Sequence, residues 1–170
     1  MGCPYFMRKN LAIITTIIFA VVLQLLWVEF LPIFGYAPDL ILITIIYLSL
    51  HYGSLSGEIY GFVSGILVDV LDVSIFGLKA LAFTIIGYLC GIFSKQLDEL
   101  EIKTQVLLSF SASYIVIIFS YLISSIFATK LVKGVSLVVY PVLNIIIAPF
   151  MFRLYDWWFE KVEKWSGKEK

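Results

Sequence analysis

Residues 11–28 read LAIITTIIFAVVLQLLWV, an uncharged run whose only polar side chains are Thr15, Thr16 and Gln24. A hydrocarbon core about 30 Å thick takes roughly 20 apolar residues in helical form to cross. The run has that character, and no small-residue cleavage pattern follows it, so it reads as a retained span rather than a signal peptide. A loop rich in breakers, with Pro32, Gly35 and Pro38, closes it. Working outward, five more runs follow at 40–50, 55–71, 78–93, 106–128 and 136–154. The one at 40–50 is short for a span, and Asp39 stands at its head, where a carboxylate caps free amides. Pro141 and Pro149 interrupt the last run and predict kinks. Apolar residues come in blocks rather than in alternation, which argues against an outer-membrane barrel. The prediction is an all-α, polytopic membrane protein with six transmembrane helices.

The composition agrees. Hydrophobic residues make up 61% of the 170 positions and charged residues 14%, against roughly 45–50% and 25% in soluble domains. Lys+Arg and Asp+Glu balance at 12 each, which leaves no basic field for a nucleic acid. Six spans would use about 120 residues, so a soluble domain does not fit beside them. The expected organisation is one six-helix transmembrane domain over 1–155 and an amphipathic cytoplasmic tail over 156–170. In that tail Trp158, Val162 and Trp165 recur at helical spacing between Lys161, Lys164 and Lys168, the pattern of an interfacial helix lying on the bilayer. With the amino terminus in the cytoplasm, Arg8, Lys9, Lys95, Lys103, Arg153, Lys161, Lys164, Lys168 and Lys170 fall on one side, and Lys79, Lys130 and Lys133 on the other. The positive-inside bias then places both termini in the cytoplasm. Cys3 and Cys90 are too far apart in sequence and too few to suggest a disulfide framework or a metal site.

The third run carries the most specific spacing. Gly57, Gly61, Gly65 and Asp69 fall every four residues and form one stripe along a helix. Gly87 and Gly91 repeat the device in the fourth. Bare stripes let another backbone approach closely. The first reading is that spans three and four pack together, and the sharper one is that part of the stripe receives a partner's helix. Asp69 lies near the expected outer end, close to Asp72, with Lys79 across a short loop that holds Gly77. It reads as a structural carboxylate, pairing with Lys79 or capping the loop, ahead of a catalytic one. His51 is the only histidine, so no histidine metal cluster can be built, and no serine–histidine pair has an obvious third member. The serines Ser109, Ser113, Ser120 and Ser124 share a rough face of the fifth span and read as interhelical hydrogen-bonding groups. With no nucleotide-binding loop either, no cofactor and no enzymatic activity are expected.

One ordered set of residues resembles a known family. Pro38 opens the second span and Tyr47 lies within it. Then come Gly61-Phe62-x-x-Gly65-x-x-x-Asp69, the turn Phe76-Gly77, and Gly87-Tyr88, with Gln24, Asn144 and Pro149 outside this middle region. Together they resemble the rod shape-determining protein MreD family. The resemblance implies a multi-pass protein of the bacterial inner membrane and a non-catalytic scaffold of the elongation machinery. Its implied partners are the transmembrane helix of MreC, with MreB and the peptidoglycan synthases of the complex beyond it. A role in cell shape and lateral peptidoglycan synthesis follows from the same likeness, and a homodimer is left open. It also implies the six-helix fold of the S-components of energy-coupling-factor transporters. The alternative function is therefore a small-molecule-binding subunit of that type, although the small-residue face of span one is a poor match: Thr16 stands four positions after Ala12.

Overall fold

The structure, a computed structural model, describes residues 3–30, 36–71, 76–97, 101–126 and 136–165. Asp72, Lys130, Lys133, Lys168 and Lys170 lie outside them, as do the side chains of Cys3, Arg8, Lys9 and Trp165. The elements are α1 (Cys3–Phe30), α2 (Leu40–Tyr52), α3 (Ser54–Leu71), α4 (Leu78–Ile92), a 3-10 turn at Phe93–Lys95, α5 (Ile102–Ile126) and α6 (Ser136–Trp165). Five of the helices are long and apolar enough to cross a membrane, and α2 is the shorter apolar one.

The shortest helix is the axis of the bundle. Every residue of α2 from Leu40 to Leu50 is buried. Its apolar residues surround it on all sides, and a helix of that kind is stable only when other helices enclose it. Each of the other five helices contacts it. Ile13, Ile17 and Ala20 of α1, Ala82, Phe83 and Ile86 of α4, Ala112 and Val116 of α5, and Ala148, Met151 and Phe152 of α6 join it in one core. Its start lies beside the start of α4, where the Lys79 ammonium reaches Asp39 at 3.5 Å. Its end lies beside the end of α4, where Gly53 faces the Ser94 hydroxyl. The second run therefore passes alongside α4 for the full length of that helix.

The outer helices turn apolar side chains outward: Ile14, Ile18 and Leu25 on α1, Ile118 and Leu122 on α5, and Val138, Ile146 and Phe150 on α6. A soluble monomer rarely exposes so much contiguous apolar surface. This is the surface of a multi-pass membrane protein. Three boundaries differ by four residues or more from those read in the sequence, the first being the start of α1 at Cys3 rather than at 11. The fifth helix starts at Ile102 rather than at 106, because Lys103, Thr104 and Gln105 are compatible with a helix and the Gln105 amide closes onto the Glu101 carbonyl. The sixth contains both prolines and runs on without a break to Trp165. Its 30 residues make a rod of ~45 Å, longer than the hydrocarbon is thick. Past Leu154 it still packs on protein: Tyr155 and Phe159 are buried. The Phe159 ring lies 5.8 Å from Tyr47 and 6.2 Å from His51 at the end of α2.

Candidate functional site

The glycine stripe of α3 faces α4 along its whole length. A Cβ on Gly57 would overlap the Gly87 carbonyl and Ser49, one on Gly61 the Phe83 carbonyl, and one on Gly65 the backbone of Ala80. From the other side, Gly87 meets the Gly57 carbonyl and Gly91 meets the backbone of Ser54. The residue numbers rise on one helix as they fall on the other, so the two run antiparallel with backbone against backbone.

Asp69 is the next member of that stripe, and the register carries it to the start of α4. Its carboxylate accepts three amide hydrogens there: Gly77 at 3.0 Å and Ala80 at 2.9 Å on one oxygen, and Lys79 at 3.0 Å on the other. Gly77 itself precedes α4 in a left-handed conformation, φ 94°, and has no side chain with which to cap it. The cap comes instead from the neighbouring helix. An anion at a helix start is favoured both by the unpaired amides and by the helix dipole. Asp69 is buried, and these three donors are what make a carboxylate tolerable at such a position.

Lys79 sends its side chain elsewhere. The ion pair with Asp69 considered from the sequence is replaced by one with Asp39, while the Lys79 amide serves Asp69. Asp39 caps α2 through the Leu42 amide at 2.9 Å and accepts the Tyr140 hydroxyl at 2.8 Å. Its own amide donates to Asn144 Oδ1 at 2.7 Å, and the Leu40 amide donates to Gln24 Oε1 at 2.7 Å. Asn144 Nδ2 donates to Ser113 Oγ at 2.9 Å, and that hydroxyl donates to the Ser109 carbonyl at 2.7 Å. One knot of polar groups thus ties α1, α4, α5 and α6 to the start of α2. Pro38, buried just before the cap, leads the chain in with no amide to satisfy.

The sequence identified Asp39 as a cap and missed the groups that converge on it. Asn144 is named there only through the family resemblance, Gln24 through the resemblance and as a polar residue of the first run, and Tyr140 not at all. The available signal was that a lone amide inside an apolar span needs a hydrogen-bonding partner within the bundle. Ser113 lies in the knot, Ser109 is buried beside it, and Ser120 and Ser124 are only half-buried farther along α5. His51 stacks among Tyr47, Tyr52 and Phe159 at the opposite end of α2. Among the described residues no group of three or more His, Cys, Asp or Glu side chains could hold a metal ion. Chemically, the knot and the Asp69 cap hold helix ends in place: each carboxylate oxygen accepts at least one donor of this chain.

A family model described as rod shape-determining protein MreD matches residues 6–159. No curated protein and no solved structure matches the chain.

Proposed function

The chain belongs to the MreD family, and from that membership we propose that it is a non-catalytic scaffold of the bacterial inner membrane that binds the transmembrane helix of MreC. A role in rod shape determination comes with the family. The finer reading adds that this chain holds MreC, and through it the peptidoglycan synthases, in an elongation complex that has MreB on its cytoplasmic side. Lateral peptidoglycan synthesis is then controlled by assembly rather than by chemistry on this chain. The observation that carries the scaffold reading is the state of the two buried aspartates. Asp39 and Asp69 are the natural candidates for acid–base work in a membrane, and every oxygen of both accepts at least one donor from their own chain. A bundle with apolar outer faces suits the binding of helices. Both termini in the cytoplasm, a membrane unit over 1–155 and a tail over 156–170 belong to the same proposal.

Affinity purification from native membranes, followed by mass spectrometry, tests it. MreC should be recovered with the chain, and the recovery should survive removal of MreB. Recovery without MreC, but with a small molecule retained, would favour the transporter-subunit alternative. For that alternative the one supporting observation is that Lys79 keeps 20% of its side chain exposed beside Asp39.

A further inference from the structure

Flanking the glycine seam, α3 and α4 open a groove of about 630 Å³ whose walls include Ile59, Phe62 and Ile66 on one side and Leu81 and Thr84 on the other. Ile59, Phe62 and Leu81 are each about half exposed. Thr84 donates its hydroxyl to the Ala80 carbonyl at 2.5 Å, so its hydrogen-bonding capacity is met within α4. The groove is apolar save for Glu58, which lines one end of it.

Glu58 is out of keeping with its place. The 18 residues of α3 give ~27 Å of helix, barely the thickness of the hydrocarbon. Glu58 stands one turn inside the start of that helix, exposed, and among the described residues no hydrogen bond or ion pair reaches it. Asp69, toward the other end of α3, is buried and fully capped. A carboxylate at the edge of the apolar layer is tolerated where it reaches water, and it gains by pairing with a cation there. Anionic lipid headgroups repel it and so give no such pairing. A second copy of this chain, packed groove to groove about a two-fold axis, would bring one Glu58 toward another. A transmembrane helix from a different protein removes the conflict, because such helices carry Lys and Arg at their cytoplasmic ends, the end at which the basic residues of this chain place Glu58.

We propose that the α3–α4 groove seats the transmembrane helix of a partner, with Glu58 paired to a Lys or Arg about one turn inside the cytoplasmic end of that helix. This rests on the scaffold reading above and adds to it the surface and the charge that recognises the partner.

The test uses the full chain in native membranes, with a photo-reactive benzophenone residue at Phe62 and, as control, at the lipid-facing Ile118 of α5. Light should give an adduct from Phe62 in roughly tenfold excess over Ile118. Peptide mapping should place the crosslink in a single-pass helix with a Lys or Arg near its cytoplasmic end. Glu58→Lys should lower the adduct by about the same factor at equal membrane abundance, and an acidic residue in place of the partner's cation should restore it. Leu81→Trp, which fills the groove without altering charge, should lower it as well. Equal labelling at Phe62 and Ile118 while the partner still co-purifies overturns the groove and leaves the scaffold reading standing. Mapping to a second copy or to lipid, or an adduct indifferent to Glu58→Lys, also overturns it. Failure of any partner to co-purify with the unaltered chain overturns the scaffold reading itself.

Discussion

At the scale of single residues, Asp69 shows how a site can look permissive in sequence and be strict in space. A carboxylate that only pairs with a neighbouring lysine would tolerate its amide. Here three backbone amides point at the two carboxylate oxygens, and an asparagine must turn an NH2 group toward at least one of them. Asp69→Asn should therefore cost about 1.5–3 kcal/mol, the range for hydrogen bonds to a charged group, and Asp69→Leu more, since it leaves buried donors unpaired. Thermal unfolding in detergent micelles, read with membrane abundance, measures both. Equal stability of the Asp69→Asn variant and the unaltered chain would mean the cap contributes nothing. The glycines separate into two kinds under the same assay. Alanine is worth about 1 kcal/mol over glycine in a free helix, yet Gly87→Ala should destabilise, because the added carbon meets the Gly57 carbonyl. At Gly77 nothing lies within 4 Å of an added Cβ, so Gly77→Ala should cost only its left-handed backbone, about 1–2 kcal/mol, and Gly77→Asn less.

Among the elements, α2 shows which part of the fold was legible and which was not. The existence of the helix, its cap at Asp39 and its apolar character could all be read from residues 39–50. Its central position could not be read with the same ease, because length alone marked it as a doubtful span. Apolar residues on every side were the better guide: a short helix with no polar face has to be enclosed. The end of α6 is the converse case. Trp158, Val162 and Trp165 make a plausible interfacial stripe, but Phe152, Tyr155 and Phe159 make another at nearly the same spacing, and this second one meets Tyr47 and His51. Two overlapping stripes on one helix are resolved only by what stands opposite, and Tyr47 is more than a hundred positions away in sequence. The same holds for the knot around Asp39, whose members come from five helices. Asn144→Leu should strand the Asp39 amide, at about 1–3 kcal/mol for a donor left buried and unpaired, and remove the bond that Ser113 Oγ accepts while its own donation to the Ser109 carbonyl stays. Combined with Ser113→Ala the loss should be less than additive, since the two side chains share one hydrogen bond. Strict additivity in a double-mutant cycle would show that the knot does not act as a unit.

For the molecule as a whole, the distribution of basic residues and the antiparallel run of α3 and α4 make a joint prediction about sidedness. In a background without Cys3 and Cys90, cysteines at Lys95 and Lys164 should react with a membrane-impermeant maleimide only from the cytoplasmic face, and one at the exposed Phe76 only from the opposite face. Labelling of Phe76 and Lys95 from the same face would contradict a crossing α4. The position of α2 has a further consequence, for the order in which the chain is made. Synthesis delivers α2 to the bilayer after α1 and before α3–α6, and at that moment, of the helices described, only α1 has supplied its contributor to the polar knot, Gln24; Lys79, Ser113, Tyr140 and Asn144 are still to come. Its ~20 Å length leaves it a poor resident of the lipid on its own. The bundle cannot close around its axis until α6 has been made, since Ala148, Met151, Phe152, Tyr155 and Phe159 form part of the core, so a nascent chain that stalls after α5 would leave that side of its centre open to membrane quality control.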